Sequence, residues 1–141
     1  MVPIEVITAG WQAGARWARK DVILTLVNHY RETINVAICA GDFQHGSSYG
    51  WFDVKSGHAR GLQFDVPRIG GLDVVIHGQL VSGKNPWRKE TSVAFYTLEH
   101  APFAIRAART NTPALYLCSG KPVVEYGKLI RVTGNKTFTF T

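Results

Sequence analysis

Cysteine, clustered charge and long apolar runs are all scarce in this chain, and each scarcity removes a class of protein. Only Cys39 and Cys118 are present, too few for the disulfide framework of a small secreted domain. Each ends an apolar run, Ile34–Cys39 and Ala114–Cys118, and two readings stay open: ordinary buried thiols, or one clasp between two sheets. No window reaches the apolar length of a membrane span, so no transmembrane segment is expected. The opening MVPIEVITAG has no basic stretch followed by an apolar one. No signal peptide is visible there, and the cytoplasm is the default expectation. The sixteen Lys and Arg residues never form a run of three, unlike the basic arm of a dedicated nucleic-acid binder. Helical stripes, internal repeats and low-complexity tracts are missing as well.

Chemical motifs are equally sparse. The five histidines, His29, His45, His58, His77 and His100, show no HxH, HxxxH or CxxC-type spacing, so no metal site is expected. There is no GxSxG elbow, no dinucleotide fingerprint and no P-loop; Gly70-Gly71 reads as a turn. Ten Asp and Glu residues are dispersed, which marks no pair of facing carboxylates for glycoside hydrolysis. No catalytic residue and no cofactor is therefore assigned. Asp73 and His77 share a face of a candidate strand, close enough for a contact, and read best as a surface hydrogen bond.

What the chain does have is the punctuation of a β protein. Fourteen Gly and six Pro are scattered among short segments rich in Val, Ile and Thr. At 141 residues, with 45% hydrophobic and 18% charged residues, the length and balance suit one globular domain, residues 1–141. Ile34, Val36 and Ile38 alternate with Asn35 and Ala37, the period of a half-buried strand. The polar Asn28–Glu32 predicts a tight connection between an antiparallel pair, and Ser56-Gly57 predicts a turn joining Tyr49–Val54 to Arg60–Val66. Leu26–Phe64 thus reads as a meander.

Further strands are expected at Val2–Thr8, Val22–Val27, Leu72–Val81 (the longest), Thr91–Leu98, Phe103–Arg106, Ala114–Cys118, Lys128–Thr133 and Lys136–Thr141. Ile34, Val36, Ile38, Leu72, Val74, Ile76, Phe138 and Phe140 are expected to point into one core. Such strands need a second layer over their apolar face. The expectation is an all-β fold: a single antiparallel β-sandwich, or barrel-like domain, of about eight to ten short strands.

Asn28, Thr33, Val36-Ala37-Ile38, Gly50-Trp51-Phe52 and Gly57 form a pattern over residues 26–64 that resembles an uncharacterised bacterial family, domain of unknown function 1036. Val27 stands where members tend to carry cysteine, and Phe52 replaces a second Trp. The resemblance implies a small β-rich module and carries no activity with it.

The net charge of +6 favours anionic partners. Large rings lie near cations at Tyr49-Gly50-Trp51 and in two further places: Trp11, Arg16 and Trp17 near the start, and Trp87-Arg88-Lys89 in the Ser82–Glu90 loop. Rings stack on sugars or bases and cations hold anionic groups, so the six residues of the latter two places are the expected contact residues. Trp87 has no apolar run to belong to, and an exposed ring is expected there. The functional expectation is a non-enzymatic binding or self-assembling module. Its partner would be a protein, a second copy of the chain, or an anionic glycan or membrane surface. A nucleic-acid-binding β-barrel is the first alternative and a small hydrolase the second.

Overall fold

The computed structural model describes residues 2–7, 18–41, 46–87, 93–99, 102–106, 108, 114–115 and 122–141. It is all-β, as the sequence pattern indicates. Eleven strands occur among these residues: β1 (Ile4–Val6), β2 (Arg19–Asn28), β3 (Ile34–Ala40), β4 (Ser47–Val54), β5 (Ala59–Pro67) and β6 (Leu72–Leu80), then β7 (Val93–Leu98), β8 (Phe103–Arg106), β9 (Ala114–Leu115), β10 (Pro122–Val132) and β11 (Lys136–Phe140). They form a four-stranded sheet, β1-β5-β2-β11, and a seven-stranded sheet, β7-β10-β6-β3-β4-β8-β9, that curls into a half-barrel. The smaller sheet is mixed, because β1 and β11 run parallel to β5 and β2.

Two expectations about connectivity are corrected. Asn28–Glu32 does not join an antiparallel pair, since β2 and β3 lie in different sheets. Nor does Ser56-Gly57 close a hairpin, because it carries the chain from β4 in the larger sheet to β5 in the smaller. Within the expected meander only β3 and β4 are sequential neighbours that pair. The physical reason is Asn28, which is fully buried. Its side-chain NH2 donates to the Glu32 carbonyl at 2.7 Å and the Val54 carbonyl at 2.8 Å, and its Oδ1 accepts from the Tyr30 amide at 2.7 Å. Its backbone accepts from Gly57 and donates to the His58 carbonyl. One satisfied side chain thus pins both crossings between the sheets, which a buried amide must do or cost stability.

The inward faces behave as read, but β3 is buried on both faces rather than half-buried, because Ala37 and Cys39 enter a second core. Ile34, Val36, Ile38, Leu72, Val74, Ile76 and Phe140 are all buried in the core between the sheets, with Phe138 packed against it. Leu24, Leu26, Leu62, Phe64 and Val66 supply the opposing layer. The longest strand is β10, at 11 residues, rather than the segment beginning at Leu72. It starts at Pro122, ahead of the expected Lys128, and its two halves serve different neighbours: Pro122–Gly127 pairs with β7 and Lys128–Val132 with β6. Gly127 at the join has no room for a side chain, for a Cβ there would lie 2.7 Å from the Ile76 carbonyl oxygen.

The concave side of the seven-stranded sheet encloses a second, smaller core of Ala37, Cys39, Val75, Phe95, Leu98, Phe103, Ile105 and Ala108. Here the curled sheet is tied by side chains that reach backbone carbonyls. Ser48 Oγ donates to the Tyr96 carbonyl at 2.6 Å, Trp51 Nε1 to that of Leu98 at 2.8 Å, and Thr97 Oγ1 to that of Val123 at 3.3 Å. A backbone bond from Tyr96 to the Ala108 carbonyl draws β7 toward the far side. Cys39 is buried in this core, and Cys118 lies outside the described residues.

Candidate functional site

A concavity lies at one end of the sandwich, where the Asn28–Glu32 crossing meets the loop after β6. The bonds of Asn28 hold the crossing compact, and its neighbours His29 and Arg31 are left exposed. The Ser56 hydroxyl donates to the Tyr30 carbonyl, and the His29 amide bonds the Phe140 carbonyl at 3.0 Å. These contacts tie the crossing to β4–β5 on one side and to β11 on the other.

The opposite wall is a tight turn. The Gly83 amide returns to the Leu80 carbonyl, and the Leu80 amide bonds that of Lys84. Gly83 has φ 89°, a region that favours glycine. The side chain of Asn85 accepts from the Trp87 amide at 3.1 Å, folding the chain over just past the turn. Between the two walls lies a groove of about 780 Å³. Leu80, Tyr30 and Pro86 give it apolar surface, while His29, Arg31 and Lys84 bring three basic side chains and Glu32 one carboxylate. That is a cleft of ligand size with apolar walls and a few polar groups, the usual composition of a binding site.

Trp87 is placed otherwise than its sequence neighbours suggest. The ring is half-buried rather than exposed, packed edge-on against Tyr30 at 5.0 Å and Phe140 at 4.9 Å, and Phe138 continues the row. Its indole N–H donates to the Thr141 carbonyl at 3.1 Å. The apolar run it lacks in sequence is supplied in space by the end of β11 and the β2–β3 crossing. Trp87 therefore backs the groove and holds its two walls together. Trp11, Arg16, Trp17, Arg88 and Lys89 lie outside the described residues.

Sequence reasoning passed over His29, Arg31 and Lys84. The available signal is that two polar loops flank strands which a sandwich must bring to the same end, and it is hidden when Asn28–Glu32 is taken to join an antiparallel pair. A smaller hollow of about 470 Å³ beside β1 and β5 includes Arg60. That guanidinium is already committed to Glu5 and Asp53, each at 2.9 Å, and lies over the Phe52 ring.

His77 is the other residue the sequence singled out, and it is not at the surface. It is buried inside the half-barrel, and Asp73 pairs instead with Arg131 at 2.8 Å. His77 Nδ1 lies 2.8 Å from the Tyr126 carbonyl, which can only accept, so this nitrogen carries a proton. Nε2 is 3.0 Å from the Gln79 side chain and 3.7 Å from Glu125, and the ring meets Trp51 edge-on. The arrangement joins β6, β10 and β4.

Among the described residues no group of three or more His, Cys, Asp or Glu is placed to hold a metal ion, and no helix is long and apolar enough to cross a membrane. Compared with models of known families, with curated proteins and with solved structures, the chain finds no match.

Proposed function

We propose that the protein is a binding module whose groove between the Asn28–Glu32 crossing and the Leu80–Trp87 loop receives an anionic partner. The observation that carries this reading is the groove's lining: His29, Arg31 and Lys84 around an apolar floor, in a chain of net charge +6. Cations at the rim of a partly apolar cleft raise the local concentration of negative ligands and speed their encounter. Binding is favoured over hydrolysis because the described lining has one carboxylate side chain, Glu32, and, as hydroxyls, only those of Tyr30 and Thr141. Glycoside hydrolysis calls for two facing carboxylates, and acyl transfer for an activated nucleophile.

The test is titration of the full chain with acidic peptides, sulfated glycans and single-stranded nucleic acid at two salt concentrations, followed by tryptophan fluorescence. Trp87 backs the groove, so occupation should change its emission. Arg31→Ala and Lys84→Ala should each weaken binding several-fold and flatten its salt dependence, because each removes one screened cation. Binding that persists unchanged in the double variant, or none to any anionic probe, would falsify the assignment.

A further inference from the structure

The two sheets differ in width, four strands against seven, so the smaller cannot cover the whole of the larger. One of its two end strands is β11, which among the described residues pairs only with β2. The Phe140 carbonyl accepts from the His29 amide, on the β2 side. Strand alternation then turns the N–H and C=O groups of Thr137 and Thr139 away from β2, toward the outer edge. An edge of this kind is a template for a further strand.

A second, independent observation concerns what lies next to that edge. Phe140 packs over β6, close enough that a Cβ on Gly78 would lie 2.4 Å from its ring. The strand beyond β6 in the larger sheet is β10, so a strand laid beside β11 would sit over β10. On the sandwich-facing side of β10, Val132 is fully buried and Ile130 half-buried, opposite Leu72 and Val74. Further along the same alternating face, Tyr126 is 53% and Val124 42% exposed. Among the described residues the sandwich thus lacks a cover where its smaller sheet lacks a strand. Lys128, on this face, and Lys136, at the start of β11, are both exposed. Glu125 points to the opposite side, toward His77.

We infer that β11 is the docking edge for an extended acidic segment of a partner protein, which adds to the smaller sheet as a fifth strand. Main-chain bonds to Thr137 and Thr139 supply affinity, as in other strand additions. Alternate side chains of the segment cover Tyr126 and Val124, while its carboxylates meet Lys128 and Lys136. The two lysines disfavour a second copy of this chain as the occupant, since symmetric pairing would bring like charges together. This inference rests on the edge and the uncovered face, not on the groove, so either can fail alone.

The experiment is selection of a random twelve-residue peptide library, displayed on phage, against the full chain, with the enriched consensus made as a synthetic peptide. Enriched sequences should alternate apolar and acidic residues, and the peptide should slow amide exchange at Thr137 and Thr139. Thr139→Pro removes an edge donor and should weaken binding at least tenfold. Lys128→Glu, which leaves the edge backbone intact, should weaken it to a similar degree and keeps the test decisive if the proline variant folds poorly. Enrichment without acidic residues, no enrichment above background, or protection confined to the groove around Arg31 and Lys84 each overturns the inference. So does concentration-dependent dimerisation that Thr139→Pro abolishes, which would make a second copy the occupant.

Discussion

The molecule has two interiors that are closed by different physics. Between the sheets, the core is built from Leu24, Leu26, Ile34, Ile38, Leu62 and Ile76 with their neighbours, side chains that need only to be apolar and to fit. Inside the half-barrel, Phe95, Phe103 and Ile105 share the space with Ser48, Thr97 and His77, all buried and all bonded to backbone carbonyls of β7 or β10. Burial of apolar area is non-directional and contributes most of the gross stabilisation. A side chain bonded to a carbonyl contributes little net energy, but leaving that carbonyl buried and unpaired costs more. The first interior therefore supplies stability, and the second holds a particular curvature.

The largest effect is expected in the sandwich core. Ile76→Ala leaves a cavity at the middle of β6 and should lower the free energy of unfolding by about 2–5 kcal/mol, read from denaturant melts. Amide exchange should rise throughout, because both sheets rest on that residue. A loss below about half a kcal/mol, the range of surface changes, would mean that β6 is wrongly registered.

His77→Leu keeps much of the volume but strands the Tyr126 carbonyl, at an expected cost of about 1–3 kcal/mol. Hydrogen exchange should accelerate chiefly in β7 and β10, with the β2–β5 pairing left slow. Acceleration spread evenly over both sheets would erase the distinction and make the two interiors a single cooperative unit.

The smallest effect belongs to Ser48→Ala, about 1 kcal/mol for one hydrogen bond to the Tyr96 carbonyl. The local readout is the Tyr96 amide, whose bond to Ala108 draws the half-barrel together. An unchanged exchange rate there would show that apolar packing alone maintains the curl.

These contrasts explain which parts of the fold were legible. The eight residues assigned to one core from period two alone, from Ile34 to Phe140, all meet there. Their identity as strands and their inward faces follow from local alternation, which needs no knowledge of partners. The crossings were not legible in the same way. A polar loop of five residues between apolar runs is compatible with a hairpin or with a sheet-to-sheet arch, and the choice was made by Asn28 finding the carbonyls of Glu32 and Val54. That choice also decides the candidate groove, since it brings Arg31 beside Lys84 at one end of the sandwich.

By itself the sequence determined an all-β chain, its inward faces and a basic surface, because alternation, turn chemistry and charge are properties of neighbours along the chain. Only the tertiary structure decided which strands pair, that Trp87 packs between Tyr30 and Phe140, and that His77 is buried. Those outcomes depend on partners tens of residues away, 53 between Trp87 and Phe140 and 49 between His77 and Tyr126. A side chain's exposure is set by what the fold brings against it, and no window along the chain contains that information.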